Sequence, residues 1–383
     1  MERVKENGIQ TAVKRVTQAD VAKAAGVSKG TVDRALHNRK GIDEKVKRSV
    51  LSAAKKLGYK PNRVAQLLSM KTTKFIGIIY PEHPKFFWDQ VRDGLLSAER
   101  ELDGFGITTE HRRFEILTEN FESEMHDLVR YFAEKPIIDA LIILPSVGPT
   151  QRTLARKLLE EGITIVTLTH DFTDDEYSTF HIGVDLRQGG KVAADLMGKF
   201  LKGKGRVLGL KDYPTVRSLR RTSIIRFENF QEHLNTNFPG ITLVPYEFKK
   251  VLSEGERREL AALLSNPSTG GAGHWDGVYI SEGEFLGEVG EIIKDAIPEE
   301  RPIVIGHEIN DTVGALLKEE AITATVCQQP YMEGYYAIKI LHEYLVNKNK
   351  PVQDYMYTNL EIITKENYDN HDTFVRYFKL FAQ

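Results

Sequence analysis

Apolar residues fall into two regimes along this chain. Between positions 17 and 58 they recur at helical spacing. Val21, Ala22 and Ala25 share one face, Val32, Ala35 and Leu36 a second, and Val46, Val50, Ala53, Ala54 and Leu57 a third. Capping chemistry marks the boundaries. Thr17-Gln-Ala-Asp20 has the form of a capping box. Gly26 permits the left-handed turn that ends a helix. Ser28 and Asp43 stand where a second and a third helix would begin, and Gly58 closes the third. Three short helices with a glycine-containing turn between the first two predict a helix-turn-helix unit over 15–60, preceded by a disordered leader over 1–14. Pro61 breaks the third helix. Asn62 can cap a short further helix, marginal alone because nucleation is costly, so 61–73 reads as a hinge or linker.

From Lys74 the regime changes. Phe75–Tyr80, Ala140–Leu144, Ile163–Leu168, Arg206–Leu210, Gly277–Ile280 and Pro302–Ile305 are short apolar runs, each followed by helical periodicity. That alternation predicts an α/β domain over 74–383, with parallel sheets covered by helices on both faces. In such sheets ligands bind at the carboxyl ends of the strands.

Charge sharpens the division. The first 74 residues hold 18 Lys and Arg against 6 Asp and Glu, whereas the rest hold 34 against 48. A basic segment that also carries helical periodicity points to a polyanionic partner rather than a solvated tail. The 383 residues predict two or three folded units. The single cysteine, Cys327, allows no intrachain disulfide and no cysteine metal cluster. With a polar N-terminus and no long apolar run, this predicts a cytoplasmic protein that neither spans nor binds a membrane. No metal and no cofactor is expected: there is no Walker spacing around Gly203-Lys-Gly205 and no HExxH.

The stretch Thr17 to Asn38, TQADVAKAAGVSKGTVDRALHN, resembles the LacI (lactose-repressor) family. The resemblance implies a recognition helix from about Ser28 to Leu36, presenting Lys29, Gly30, Thr31, Asp33 and Arg34 outward. Lys29, Gly30 and Arg34 match the family's base-reading positions in the major groove. Asp33 replaces the usual serine, and would either accept from a cytosine amino group or pair with Arg34. Thr17, Ser28, Thr31, Asn38 and Asn62 are implied as phosphate contacts. The segment after Tyr59 resembles the family's hinge helix, with Ala65 allowing close approach and Leu68 acting as a wedge in the minor groove. The alternative is an ordinary linker helix whose Leu68 packs on the next domain.

Residues 74 to about 370 resemble the family's periplasmic-binding-protein-like effector domain, of the ribose-binding type. The landmarks are Phe86-Phe87, Gly183-Val-Asp185, Arg226-Phe-Glu-Asn-Phe230 and Gln328-Gln-Pro330. This implies two lobes, about 74–183 with 328–355 and about 184–327 with 356–383, joined by three crossings around a cleft. Effector candidates are Phe86, Phe87, Trp88, His170, Asp171, Arg226, Glu282, Glu308 and Gln328. Aromatic faces suit the C–H faces of a sugar or polyol, and buried polar groups suit its hydroxyls. One of the three clustered aromatics should belong to the core, and each strand-end polar residue can also be read as a solvated loop charge.

The reading is therefore a ligand-controlled repressor, a homodimer or higher oligomer on a palindromic double-stranded operator. A sugar-binding protein without DNA activity and an α/β hydrolase are the alternatives. The second rests on Gly26-Val-Ser28-Lys-Gly30, which fits G-x-S-x-G but is preceded by a helix where the nucleophile elbow needs a strand.

Overall fold

The structure is a computed structural model. It describes residues 16–36, 41–59, 73–115, 121–135, 137–145, 149–170, 177–212, 221–248, 253–265, 274–296 and 301–371. The leader, Asn38, the hinge residues Asn62, Ala65 and Leu68, and Asp171 lie outside these. The chain divides into two compact units, 1–72 and 73–383.

In the first unit, α1 (Gln18–Ala25), α2 (Lys29–Leu36) and α3 (Glu44–Leu57) enclose a core of Val21, Ala22, Val32, Ala35, Val50 and Ala54. The predicted capping box is present: Asp20 N donates to Thr17 Oγ1 (3.3 Å) and Thr17 N donates to Asp20 Oδ2 (2.8 Å). Gly26 (φ 67°) and Gly58 (φ 65°) end α1 and α3 in the left-handed region, where a Cβ would be strained. Asp43 caps α3 by accepting from Lys45 N and Val46 N. Leu57, expected inside, is 39% exposed.

The second unit contains two six-stranded sheets. Sheet 1 comprises β1 (Lys74–Pro81), β2 (Ile107–Phe114), β3 (Ala140–Ile143), β4 (Thr164–Thr169), β5 (Phe180–Gly183) and β11 (Tyr355–Tyr357), in the order β11-β5-β4-β3-β1-β2. Sheet 2 comprises β6 (Lys204–Asp212), β7 (Gly240–Phe248), β8 (Gly277–Ile280), β9 (Ile303–His307), β10 (Ala324–Cys327) and β12 (Glu361–Ile363), in the order β12-β10-β9-β8-β6-β7. Strands β3, β4, β5, β8 and β10 are buried at every position, as sheets covered on both faces require.

Helices pack in close pairs, and glycine sets their approach. In sheet 1's lobe α4 (Lys85–Glu101) crosses α12 (Pro330–Leu341), with α5 (Phe121–Ala133) and α6 (Pro149–Glu160) completing the lobe. A Cβ on Gly94 would fall 1.9 Å from Tyr331 O, and one on Gly334 would fall 2.1 Å from Val91 O. In the other lobe α7 (Leu186–Phe200) crosses α8 (Arg221–Asn237), and a Cβ on Gly190 would fall 2.2 Å from Arg226 O. There α9 (Glu254–Ser265), α10 (Gly283–Ala296) and α11 (Asp311–Lys318) complete the lobe. Among the described residues no helix is long and apolar enough to cross a membrane.

Among the described residues the chain passes between the sheets three times, after β5, after β10 and between β11 and β12. The third passage lies at 358–360, a few residues beyond the expected 355–356, because Tyr355–Tyr357 pairs with His181–Gly183 in sheet 1. It also makes one exception to the expected parallel sheets: β12 runs antiparallel to β10. Both sheets turn their carboxyl ends toward the cleft. A strand that crosses directly, with no intervening helix, enters the second sheet from that end and must run against its neighbours. Thr358 N donates to Gly183 O (2.7 Å), which ties the third crossing to the first.

One buried group in sheet 1 makes stability pH-dependent. His181 shares a hydrogen bond with Thr167 Oγ1 (3.0 Å), and burial lowers its pKa from 6.5 to about 4. The unfolded chain therefore binds this proton first. Stability supplied by neutral His181 is complete above pH 6.5 and is lost as pH falls toward 4, by about 3 kcal/mol in all. Urea unfolding of the wild type and His181→Gln, near neutrality and near pH 4, measures this. The wild type is predicted to lose more stability over that interval than the variant, and parallel losses would contradict the assignment.

Candidate functional site

The first candidate surface is the outer face of α2. Val32 and Ala35 face the core, and Lys29, Gly30 and Arg34 are exposed on the other side. Gly30 and Arg34 are four residues apart and so share one stripe of the helix. Thr31 and Asp33, also expected outward, are half-buried. Asp33 lies within electrostatic reach of Tyr59: burial lifts the Tyr59 hydroxyl above its ordinary range, a hydrogen bond with Gln18 opposes the rise, and the Asp33 carboxylate adds to it. Ser28 Oγ accepts from Thr31 N (3.1 Å) and lies 2.9 Å from Thr31 Oγ1, so Ser28 opens α2. Thr17 Oγ1 donates to Asp20 (2.7 Å), which commits that hydroxyl proton to the cap of α1. The G-x-S-x-G match falls on this turn between two helices, with Ser28 bonded into the cap and no strand before it.

The second candidate is built where β8, β9 and β10, neighbours in sheet 2, end side by side. Glu308 follows β9 directly with φ 67°, a left-handed conformation uncommon for a non-glycine residue and a frequent mark of functional loops. Its carbonyl accepts from Thr325 Oγ1 (2.7 Å), which holds that turn. Gly283 makes room beside it, since a Cβ there would lie 2.4 Å from Glu308 Cγ. Arg226, from α8, places Nη2 2.5 Å from Glu308 Oε1, and Gln328 Nε2 donates to the same oxygen (2.7 Å). Arg226 is 2% exposed and Glu308 8%, so this is a buried charge pair, tied by Gln328 to the second crossing.

A second tier stands behind it. His307 Nδ1 donates to Val326 O (3.2 Å), so His307 Nε2 accepts from the Tyr279 hydroxyl (3.0 Å). Burial, then the Arg226 charge, drives the His307 pKa well below its ordinary value, and the ring is neutral. Ser223 and Ser281 share a hydrogen bond (2.7 Å). Glu333, on α12, is fully buried, and neither carboxyl oxygen has a partner among the described residues. Burial pushes its pKa well above the ordinary carboxylate value and Glu308 pushes the same way, against Arg226, so the site favours the neutral acid.

A cavity of about 580 Å³ opens between the sheets along the second and third crossings, within the usual range for small-ligand sites. Of the residues singled out by sequence it brings together Phe86, Phe87, Glu308 and Gln328. Trp88 does not line it and is a core residue, 5% exposed and stacked on Tyr80 at 6.4 Å; Phe87 is likewise in the core but reaches the cavity wall. His170, after β4, bonds Pro145 O through Nε2 (3.0 Å) and joins two loops of sheet 1. Arg226 stands behind Glu308, and Glu282 is half-buried at the end of β8, away from the cavity wall. Tyr331, Tyr336, Tyr357 and Glu361 complete much of the wall and were not singled out. Tyr331 and Tyr336 sit in an apolar run whose two helical faces look alike in sequence, and Tyr357 and Glu361 in strands of only three residues.

The sequence matches the periplasmic binding protein domain family over residues 76–349, and the bacterial regulatory proteins of the lacI family over 17–62. Among curated relatives, the HTH-type transcriptional regulator RegA of Clostridium acetobutylicum is 29% identical over 148 residues, 39% of this chain and 42% of that protein. The ribose operon repressor of Bacillus subtilis is 39% identical over 90 residues, 24% of this chain and 27% of that one. The chain thus spans less than half the length of either relative. A putative LacI transcriptional regulator from Bacteroides fragilis shares the fold, with a TM-score of 0.68 at 17% identity over 78% of this chain and 100% of that one. An ABC transporter solute binding protein from Bacillus halodurans with bound myo-inositol does so with a TM-score of 0.64 at 17% identity, over 80% and 99%.

The buried pair gives a measurable consequence. Removing one partner strands a charge, whereas replacing both with apolar groups does not. Arg226→Ala is predicted to cost about 3–5 kcal/mol in urea unfolding, and Arg226→Met combined with Glu308→Leu much less than the two single changes added together. Additive losses would show that the pair does not act as a unit. By family, the chain belongs to the periplasmic binding protein domain family and carries ahead of that domain the N-terminal domain of the lacI family of bacterial regulatory proteins.

Proposed function

We propose that this protein is a cytoplasmic, ligand-responsive transcription repressor that binds a palindromic double-stranded DNA operator as a homodimer. A sugar or polyol held between the two sheets controls its operator affinity. The observation that carries this reading is the exposed stripe of Lys29, Gly30 and Arg34 on a capped helix of a basic three-helix unit, in the same chain as a two-sheet domain with a cavity at its strand ends. The relatives named as transcriptional regulators support it.

In this reading Lys29 and Arg34 donate to base edges in the major groove, and Gly30 lets the helix approach closely. Asp33 would accept from a cytosine amino group. Ser28 and Thr31, with Thr17, Asn38 and Asn62, would contact phosphates, and Ala65 and Leu68 the minor groove. In the cleft, Phe86 and Phe87 would pack on the ligand's C–H faces, and Glu308 and Gln328 would bind its hydroxyls. Arg226 would act through Glu308. Trp88 is left out of the ligand set because it belongs to the core. His170, Asp171 and Glu282 remain proposed contacts. The binding reading is favoured over an enzyme because the polar groups at the strand ends are paired to hold one another in place.

The test is selection of bound sequences from random duplexes, followed by titration of the selected operator and of unrelated DNA. Arg34→Ala is predicted to lose about 1–3 kcal/mol on the operator, with relaxed preference at one base pair in each half-site. Equal losses on both DNAs would make Arg34 a phosphate contact, and failure to select any sequence would overturn the repressor reading.

A further inference from the structure

The wall of the cavity has a composition unusual for a site that takes only hydroxyls. Two carboxylates face it, Glu308 and Glu361, and five aromatic rings surround them: Phe86, Phe87, Tyr331, Tyr336 and Tyr357. No lysine or arginine is among the described residues that line it. The nearby Arg226 charge is already engaged with Glu308. Glu361 has no salt bridge among the described residues, and His371 is the nearby group that can offset its charge. Gln328, nine-tenths buried, uses its amide NH₂ on Glu308. The site thus has one carboxylate outside any ion pair among the described residues, beside aromatic faces that attract a cation through their quadrupoles.

We propose that the effector carries a protonated amino group, as an amino sugar or amino polyol does, with the ammonium seated between Glu361 and the aromatic wall. This inference rests on the reading that the effector occupies this cavity, and it names the ligand's chemistry. An ammonium answers two features together: the carboxylate on Glu361 and the rings of Tyr336 and Tyr357. A neutral hydroxyl can donate to the carboxylate but brings no charge to either. Burial already raises the Glu361 pKa, so a cation beside it stabilises its charged form. The carbon skeleton of the ligand would lie against Phe86 and Phe87.

The test uses matched isosteres on the full chain: glucosamine against glucose, galactosamine against galactose and mannosamine against mannose, each titrated calorimetrically. At least one amine is expected to bind tenfold or more tightly than its neutral partner, about the effect of one desolvated cation–aromatic contact with a carboxylate. Glu361→Gln should bring that ratio toward one. Tyr357→Leu, at a half-exposed position tolerant of change, should lower it in part, so the inference stays testable if the first variant folds poorly. Equal affinities within every pair, tighter binding of the neutral sugar, no binding by any amine at millimolar concentration, or a ratio unmoved by both variants would each overturn it. Operator affinity is followed in parallel. Amine binding that leaves operator affinity unchanged would sink the control function while leaving the ligand assignment intact.

Discussion

The charge pair between Arg226 and Glu308 organises the larger unit. Its two members come from a helix and a strand end that are distant in sequence, and each depends on a glycine for its position. Gly190 lets α7 lie against the backbone of Arg226, and Gly283 leaves the space that Glu308 fills. The pair is buried, so its own net contribution to stability is modest, but it tolerates neither partner's loss. That is a device for fixing geometry. Glu308 is held in a left-handed turn by Thr325 and Arg226, and Gln328 is drawn to the same oxygen. Because Gln328 opens the second crossing, the charge pair of one lobe sets where the chain enters the other.

The crossings form one connected structure. Thr358 bonds Gly183, joining the third passage to the first, and Pro330 starts α12 immediately after the second. α12 then crosses α4 at Gly94 and Gly334, so a shift at Gln328 would move a helix packed backbone to backbone. Glu333 lies on that helix with neither carboxyl oxygen partnered among the described residues, its neutral form favoured by burial, within the field of both Glu308 and Arg226. A buried polar group left unsatisfied is costly. Its presence where the lobes meet agrees with the view that polar residues there are arranged for something other than stability.

Much of the plan was legible in the sequence, for identifiable reasons. The capping box at Thr17, the turn at Gly26 and the cap at Asp43 are local signals, and local chemistry fixed them. The runs behind β1, β3, β4, β6, β8 and β9 were legible because those strands are buried on both faces. β2 was not: as an edge strand it carries His111, Arg112 and Arg113, and no apolar run remains. β11 and β12 have three residues each, too short for any period. Glu308 and Gln328 could be picked out because they follow strand ends. The pairing of Arg226 with Glu308, the burial of Glu333 and the turn of Trp88 into the core depend on which helix face meets which sheet, and that is settled only by tertiary packing.

In the proposed function the DNA reader and the cleft act on one equilibrium. A ligand that alters operator affinity must, by linkage, have its own affinity altered by operator DNA to the same factor. The direct measurement is the dissociation constant of a cleft ligand for the free protein and for the operator-bound protein. The two are predicted to differ by about 5–150-fold, matching the ligand's effect on operator binding. Equal constants, with operator and ligand each still bound, would contradict it: the two units would then share a chain without sharing a function.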